Sequence, residues 1–480
     1  MAEVLRARLA DVGYTTERLE EALGGGRISF SPTDVAVHER RLPAGDPFSG
    51  LVRLFLLGAS VDADEAQAAL GPVDAGMLAD TGWLEDVDGG VRATIKLVPH
   101  GELLIASDRE AEGPAGADWV AGIHPPSVTL AKLTVRLPVA RALDVATGNG
   151  IQALLASHHA EAVVATDVNP RALELAALNA RLNGVSNVEL RAGSYFEPAE
   201  GERFDLVTCN PPYVISPESR YAYRDSGLPG DEVSRRVVQQ APAALNEGGF
   251  AHVLISWAHR ADDRWGALED WVSGRGCDAW LLHFGSDDPV THAAEWLRPA
   301  ARDDPDGFRE SLDEWLDYLR RLGIEAIAHG AVILRRRSGG WNWTRKDRVS
   351  LERLEQASDH VLRVFEAQDY LESLEDDRRL LDARLALVES HRLEQTVAGG
   401  ELRSTTLALR EGIGFRVGLD EHAAGVVPLL DGERPFRAVL AQRASELELG
   451  SEDAVRFEQA ALPVARRLLE LGLVSVVTHT

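Results

Sequence analysis

The segment Asn210-Pro211-Pro212-Tyr213 is the most chemically specific pattern in this 480-residue chain. Two prolines fix the local backbone and lack N–H donors, which leaves carbonyl oxygens free to accept hydrogen bonds. The Asn210 side-chain oxygen and the Pro211 carbonyl can each accept one proton of an NH₂ group, while Tyr213 offers a flat face to a planar amide or base. Because the lone pair of such a nitrogen is delocalised, alignment and polarisation have to supply the catalysis. The tetrad therefore predicts chemistry at a planar nitrogen, with an ordinary turn at a strand end as its structural alternative.

A second pattern predicts a cofactor that contains adenosine. The loop Asp144–Gly150 follows an apolar run, and its glycines allow a sharp turn and a close approach to a ligand at the start of the next helix. Asp167 ends the following apolar run, and its carboxylate can accept hydrogen bonds from both hydroxyls of a ribose. A bland strand-to-helix turn and a carboxylate at the start of the helix that begins at Pro170 are the structural alternatives.

Aromatic residues follow the third apolar run, in the segment Arg191-Ala192-Gly193-Ser194-Tyr195-Phe196. An adenine ring would lie here, with Tyr195 or Phe196 as its wall. Aromatic residues after a strand are as often part of the core, so both interpretations stay open at this point.

Alternating strand-like and helix-like segments position these motifs. Short apolar runs bounded by Gly, Pro, Asp or Asn alternate with amphipathic helices, which is typical of an α/β fold with a doubly wound parallel sheet. Ligands of such sheets bind outside the carboxyl ends of the strands, where all the motifs above lie. The predicted strands are Ala142–Ala146, Ala162–Thr166, Val188–Ala192, Phe204–Cys209, Phe250–Trp257, Trp280–Phe284 and Ile324–Leu334.

Three domains are expected from the length of the chain and from two linker-like stretches, at residues 112–117 and 338–340. Residues 1–118 form an N-terminal helical domain, in which Leu54–Ile105 has the helix, helix and strand-pair order of a winged helix. Residues 119–338 form the α/β domain. Residues 339–480 form a mainly helical C-terminal domain with a winged-helix-like end.

These motifs resemble those of class I S-adenosylmethionine-dependent methyltransferases with an Asn-Pro-Pro-Tyr motif, and among them the bacterial release-factor glutamine methyltransferases. The resemblance covers about residues 123–260, including the helix from Pro170 to Asn183 and the turn Ala241–Gly249. It implies a Rossmann-like fold with a seven-stranded sheet, and S-adenosylmethionine as the cofactor. It also implies that Asp167 holds the ribose and that Asn210 and Pro211 hold the target nitrogen.

The resemblance implies cofactor contacts along all of these loops. Ala146 stands where the family usually has its first glycine, and Ser194 stands where an acidic or polar contact to adenine is common. The expected cofactor contacts are Asp144, Ala146, Thr147, Gly148, Gly150, Asp167, Val168, Asn169, Ser194, Tyr195 and Asn210. The expected acceptor contacts are Tyr213, Arg220, Tyr221, Tyr223 and Arg224, the last four being equally compatible with a solvated loop.

The acceptor is expected to be an amide in a protein or peptide, of the glutamine type. A formal net charge of −26 disfavours nucleic acid, and the stretch between Arg53 and Arg92 contains no Lys or Arg. An exocyclic amine of an RNA or DNA base is the alternative, and a cofactor-binding module without turnover is a second one. No metal site and no membrane span are expected. The two cysteines indicate a reducing, cytoplasmic setting.

Overall fold

A mixed β-sheet organises the larger of two units into which the chain divides. The computed structural model describes residues 1–25, 32–109, 116–218, 224, 227–260, 262–298, 304–399 and 401–477. The first unit comprises Met1–Leu130 and Pro138–Asp347, and the second comprises Ala131–Leu137 and Arg348–Thr480. This division differs from the three predicted domains, since the N-terminal residues and the α/β segment fall into one unit.

The first part of the chain is helical and then forms two antiparallel hairpins. A π-helical segment at Val52–Leu57 follows α4, and Val61 makes an isolated antiparallel bridge with Val91. The helix, helix and strand-pair order predicted for Leu54–Ile105 is present, with a second hairpin after the first. The elements are α1 (Ala2–Asp11), α2 (Thr16–Leu23), α3 (Pro32–Arg41), α4 (Pro47–Leu51), α5 (Ala63–Leu70), α6 (Ala75–Asp80), β1 (Leu84–Val87), β2 (Gly90–Ala93), β3 (Ile95–His100), β4 (Leu103–Asp108) and α7 (Pro125–Leu133).

The rest of the first unit alternates strands and helices. Its strands are β5 (Val139–Val145), β6 (Ala160–Asp167), β7 (Val188–Ala192), β8 (Phe204–Cys209), β9 (Leu245–His259), β10 (Cys277–Asp287), β11 (Ala326–Arg336) and β12 (Thr344–Arg348). Its helices are α8 (Ile151–Ser157), α9 (Pro170–Leu182), α10 (Glu232–Gln240), α11 (Leu268–Val272), α12 (Pro289–Leu297) and α13 (Pro305–Arg321).

Eight of these strands form one sheet in the order β12-β10-β11-β9-β8-β5-β6-β7. The strands β5 to β9 pair in parallel, whereas β11 pairs antiparallel with both β9 and β10. All seven predicted strands are present, and the α/β class is confirmed. The predicted count of seven is wrong because Thr344–Arg348 adds an eighth strand. Its polar sequence is typical of a sheet edge and carries no apolar run for a prediction to detect.

A buried ion-pair cluster ties the last strand to the sheet, although a linker was predicted at residues 338–340. Asp278 on β10 is fully buried and accepts hydrogen bonds from Arg335 and Arg337, at 2.7 and 2.8 Å. The backbone N–H of Trp343 also donates to this carboxylate, at 3.3 Å. The connection to β12 is therefore anchored within the first unit.

Helix α9 joins the N-terminal residues to the α/β sheet. Its apolar face, which includes Leu175, Leu178 and Leu182, lies in the same hydrophobic cluster as the buried residues of α1, α2, α4 and α5. Burial of such a face contributes about 25 cal/mol for each Å² of apolar surface removed from water. The N-terminal residues therefore share a hydrophobic core with α9, in keeping with their place in the first unit.

Two asparagines on α9 bind the backbone of β4. Asn179 accepts from the Ala106 N–H at 2.7 Å and donates to the Ala106 carbonyl at 2.9 Å, and it also donates to the Asn149 carbonyl at 2.8 Å. Asn183, one turn later, makes the same pair of bonds with the backbone of Leu104. These side chains satisfy backbone groups of β4 that would otherwise be buried without a partner.

The second unit contains two three-stranded sheets, in the orders β17-β13-β18 and β14-β15-β16. Its elements are α14 (Ser358–Ser373), β13 (Arg384–Leu387), β14 (His391–Ala398), β15 (Glu401–Leu409), β16 (Arg416–Leu419), α15 (Glu421–Val426), β17 (Asp431–Pro435), α16 (Phe436–Glu446), α17 (Ser451–Glu470) and β18 (Val474–Val476). The predicted terminal helices and strand are present. The prediction of a mainly helical domain is wrong for residues 384–419, because charged residues on exposed strand faces hide the alternation that identifies a strand. Among the described residues, no helix combines the length and apolar character that a transmembrane span requires.

We predict that Asn179→Ala destabilises the first unit by at least about 3 kcal/mol, because three buried backbone groups lose their partner at about 1–3 kcal/mol each. Urea unfolding followed by tryptophan fluorescence measures this change. Arg181→Ala, at an exposed position of the same helix, is the control and should change stability by less than about 0.5 kcal/mol. Equal effects of the two substitutions would contradict this interpretation of Asn179.

Candidate active site

A cavity of about 460 Å³ opens at the carboxyl ends of β5, β6 and β8. Its volume lies within the range of small-molecule sites. Most of the residues predicted from the loops after these strands line it. The predicted residues on its wall are Asp144, Ala146, Thr147, Gly148, Asp167, Val168, Asn169, Ser194, Tyr195, Asn210 and Pro212.

The loop after β5 has three residues in the left-handed region of backbone space. They are Ala146, Gly148 and Gly150, with φ values of 57°, 55° and 86°. A Cβ atom at Gly150 would lie 3.1 Å from the Cβ and 3.2 Å from the Cα of Ala176 on α9, whereas a Cβ at Gly148 would meet no atom within 4 Å. Gly150 therefore permits close packing against α9 and lies behind the cavity wall, while Gly148 leaves space on its open side.

Ala146 keeps the turn that the resemblance implies, at a conformational cost. The left-handed conformation costs an L-residue about 1–2 kcal/mol compared with glycine. The neighbouring Thr147 offsets this cost, since its N–H donates to the Thr166 carbonyl at 2.9 Å and its hydroxyl donates to Asp144 at 2.6 Å. Ala146 therefore holds a left-handed backbone conformation at the position where the family usually has glycine.

The buried carboxylate of Asp144 holds the loop to its surroundings. It accepts hydrogen bonds from the hydroxyls of Thr147 and Thr208, at 2.6 and 2.9 Å, and from the Ala153 N–H on α8, at 3.1 Å. Burial raises the pKa of Asp144 to about 6, and these three hydrogen bonds oppose the rise. Asp144 is thus ionised at neutral pH and links β5, α8 and β8.

Asp167 lies at the end of β6 with both carboxylate oxygens engaged. One oxygen accepts from the Gly148 N–H at 2.9 Å, and the other accepts from the Asn169 N–H at 2.9 Å. Burial raises the pKa of this carboxyl, and the backbone N–H donors oppose the rise. A carboxylate has about four lone-pair positions, so each oxygen retains the capacity to accept from a ligand hydroxyl.

The loop after β7 brings Ser194 and Tyr195 to the cavity. Tyr195 has a φ of 46°, and its carbonyl accepts from the Thr166 hydroxyl at 2.8 Å. Burial raises the pKa of Tyr195 to about 12, so its phenol is neutral. Tyr195 lines the cavity whereas Phe196 does not, and both pack against the hydrophobic cluster beneath the sheet edge.

The tetrad starts where β8 ends, at Cys209. Asn210 and Pro212 line the cavity, and Pro211 is buried. Tyr213 packs against the hydrophobic cluster beneath the sheet edge instead of lining the cavity, and burial raises the pKa of its phenol. The structure thus places the amide of Asn210 on the same cavity as Gly148 and Asp167.

Of the four other residues predicted to contact the acceptor, the structure describes only Arg224. Arg220, Tyr221 and Tyr223 lie outside the described residues. Arg224 is buried, donates to Glu218 at 2.6 Å and to the Trp296 carbonyl at 3.4 Å, and does not line the cavity. Arg224 was predicted to contact the acceptor, but the structure places its guanidinium against Glu218 and the Trp296 carbonyl instead.

One wall of the cavity was not predicted from the sequence. It comes from residues 117–127, which lead into the first turn of α7, and the Ser127 hydroxyl and His124 Nδ1 there lie 2.7 Å apart. Asn149 and Gln152 hold this wall through the carbonyls of Ala121 and Ser127, at 3.0 and 2.8 Å. The segment precedes the first loop motif and has no glycine pattern or strand of its own.

The lining residues that sequence reasoning missed are Ala117, Trp119, Val120, Ala121, Gly122, His124, Ser127, Asn149, Ile151, Gln152, Ala172 and Gly227.

Burial lowers the pKa of His124, which keeps its ring neutral at pH 7. The cavity wall therefore combines two carboxylates with neutral polar groups. Within the described part of the chain, no group of three or more His, Cys, Asp or Glu side chains is arranged to hold a metal ion.

Comparisons with known proteins match the same part of the chain. The model of the methyltransferase small domain family matches residues 127–264, and a domain of unknown function matches residues 11–94. A release factor glutamine methyltransferase from Xylella fastidiosa is 36% identical over 24% of this chain and 47% of its own length. A ribosomal protein uL3 glutamine methyltransferase from Bradyrhizobium diazoefficiens is 38% identical over 23% of this chain and 39% of its own length.

The chain thus spans about half of the length of these relatives. It spans more of a shorter relative from Methanocaldococcus jannaschii, which is assigned to the protein N5-glutamine methyltransferases. That relative is 32% identical over 27% of this chain and 68% of its own length. Residues 127–264 match the family model, and this relative is covered over two thirds of its length. The chain therefore belongs to the methyltransferase small domain family of class I S-adenosylmethionine-dependent methyltransferases.

Proposed function

We propose that this chain transfers a methyl group from S-adenosylmethionine to the amide nitrogen of a glutamine-type side chain in a protein or peptide. The observation that carries the proposal is the position of Asn210 on the cavity that the Gly148 loop and Asp167 also line. The glutamine methyltransferase names of the relatives support an amide in a protein as the acceptor.

The cavity suits the cofactor in shape and in donor chemistry. Gly148 leaves open space where a side chain would stand, and Asp167 on the cavity wall could accept hydrogen bonds from the hydroxyl groups of a ribose. The ionised Asp144 favours a cationic ligand nearby. S-adenosylmethionine supplies a sulfonium-bound methyl group that is electrophilic and ready for transfer.

The tetrad would then position the acceptor. The Asn210 side-chain oxygen and the Pro211 carbonyl would each accept a hydrogen bond from one N–H of the acceptor NH₂, which directs the nitrogen lone pair toward the cavity. These hydrogen bonds also increase the electron density on a nitrogen that resonance makes unreactive. Fixed dipoles of this kind can lower an activation barrier by about 2.7–4 kcal/mol, which is the cost of removing one oxyanion-hole donor.

We predict that Asn210→Ala lowers methyl transfer at least about 100-fold, because one of the two acceptors of the NH₂ protons is lost. The measurement is transfer of radiolabelled methyl from S-adenosylmethionine into a bacterial lysate, divided into protease-treated and nuclease-treated portions. The control is cofactor affinity by calorimetry, which should change only a few-fold. Label that disappears with nuclease instead of protease would overturn the protein acceptor in favour of a nucleic-acid base.

We predict that Gly150→Ala abolishes measurable cofactor binding, because the new Cβ would press against the backbone of Ala176 at a φ of 86°. Ala146→Gly should bind the cofactor as well as the wild type, since glycine adopts a φ of 57° without strain. Isothermal titration calorimetry with S-adenosylmethionine compares the three proteins. Unchanged affinity in Gly150→Ala would argue against this loop as the cofactor site.

We predict that cofactor affinity falls as the pH is lowered through about 6. Asp144 takes up a proton there, since burial has raised its pKa to about 6, and the neutral carboxyl no longer attracts a cationic ligand. Linkage limits the loss to about tenfold for each pH unit below that pKa. Calorimetry between pH 5 and 8 measures the profile, and Asp144→Asn should remove the inflection. A flat wild-type profile would exclude the ionised Asp144 from cofactor binding.

A further inference from the structure

Helices α12 and α13 are inserted between β10 and β11, and they pack against the backbone that follows the tetrad. Val214, the residue next to Tyr213, lies in one hydrophobic cluster with Leu297 of α12 and Trp315 of α13. Ile215 lies in a second cluster with Leu319 of α13. The inserted helices therefore bury two consecutive side chains at the exit of the tetrad.

A buried hydrogen bond fixes the same backbone. His292 of α12 is fully buried, and its Nε2 lies 3.0 Å from the Ile215 carbonyl. A carbonyl only accepts, so Nε2 carries the proton in this bond. The His292 ring also stacks on His329 of β11, which pairs with Asp287 at the end of β10, at 3.1 Å. Helix α12 thus fixes the Ile215 carbonyl, and side chains of β10 and β11 support the His292 ring that binds it.

Glu218 connects the tetrad segment to both inserted helices. One of its carboxylate oxygens accepts from the Trp315 indole N–H at 3.0 Å, and the other accepts from Arg224 at 2.6 Å. Arg224, with an exposed fraction of 5%, donates to the Trp296 carbonyl of α12, and its guanidinium lies 5.6 Å from the Trp315 ring centroid. Arg224 is buried whereas the Glu218 side chain is about a quarter exposed, so removal of the Glu218 charge would leave a buried guanidinium without this carboxylate, at a cost in free energy.

The far end of the same loop is held by α13. The Tyr318 hydroxyl accepts from the Gly230 N–H at 3.0 Å, a short distance along the chain from Gly227, which lines the cavity. In addition, the Val214 N–H donates to the Arg224 carbonyl at 3.3 Å. The insertion therefore fixes the chain directly after the tetrad and again where it returns to the cavity.

We propose that the α12–α13 insertion positions the acceptor side of the active site, with Glu218, Trp315 and Arg224 as positioning residues. This inference rests on the proposed function, because it assigns the insertion to the acceptor and not to the cofactor. The contacts described above fall on residues 214, 215, 218, 224 and 230, after the tetrad, whereas Gly148 and Asp167 lie on the loops after β5 and β6. Displacement of a reacting group by about 1 Å can reduce a rate 100-fold, so small changes in these contacts affect transfer.

The test compares two variants of the contact with one matched control. Trp315→Phe removes the indole N–H and keeps an aromatic ring, and Glu218→Gln removes the charge and keeps the shape. Asp317→Asn makes the same kind of neutralisation on α13, at a residue whose side chain is 60% exposed and paired with Arg320. Initial rates of radiolabelled methyl transfer are measured against lysate protein concentration at saturating S-adenosylmethionine, together with the dissociation constant of the cofactor.

We expect Trp315→Phe and Glu218→Gln to raise the half-saturating lysate concentration or to lower the maximal rate by about 10- to 100-fold. The cofactor dissociation constant should stay within about twofold of the wild type in all variants, and Asp317→Asn should behave as the wild type throughout. A loss of cofactor affinity that parallels the loss of transfer would overturn the inference, because it would indicate a general structural role. Wild-type transfer in both variants would overturn it as well.

Amide hydrogen exchange separates this inference from the proposed function. Peptides that cover residues 210–218 should exchange at least about tenfold faster in Trp315→Phe and Glu218→Gln than in Asp317→Asn. If the wild type labels no acceptor at all, the proposed function fails, and unchanged exchange would then overturn the positioning role as well. Faster exchange confined to residues 210–218 would support the role of the insertion in holding the tetrad segment.

Discussion

The buried carboxylate of Asp144 is the interaction on which the geometry of the site depends. It lies at the end of β5 and holds the Thr147 hydroxyl, the Ala153 N–H and the Thr208 hydroxyl at once. These three partners belong to the glycine loop, to α8 and to β8. The tetrad follows β8 and begins two residues after Thr208. Burial of an unsatisfied carboxylate would be costly, so the three donors are required together. The glycine loop after β5 and the tetrad are thereby fixed relative to each other.

The N-terminal residues take part in the same construction. Asn179 of α9 connects β4 to the Asn149 carbonyl, and the Asn149 side chain in turn holds the Ala121 carbonyl on the cavity wall. Because Asn149 stands between two glycines in the loop after β5, a disturbance of β4 would reach the cavity through hydrogen bonds and not only through packing. Ala106 on β4 and Ala121, which follow the segment that matches a domain of unknown function, are thus part of the scaffold of the site.

Sequence reasoning found about half of the residues on the cavity wall, and it found them where the signals are local. Glycines in a tight turn, an acidic residue at the end of a strand and two prolines after an asparagine each restrict the backbone within a few residues. The wall that contains His124 gives no such local signal, since its position comes from Asn149 and Gln152, which hold it from another loop. Arg224 shows the opposite error, because a charged residue in a polar loop was expected to face the acceptor and is buried against Glu218.

The sequence by itself determined the α/β class, seven strands of the sheet and the order of the loops that meet at its carboxyl edge. Periodic apolar runs and turn residues are sufficient for this, because they act through neighbours in the chain. The tertiary structure alone decided that the N-terminal residues share the hydrophobic cluster of α9, and that Thr344–Arg348 pairs as an eighth strand. It also decided that α12 and α13 pack on the backbone after the tetrad. These contacts join residues far apart in sequence, whose burial depends on the surface that the partner element presents and not on local pattern.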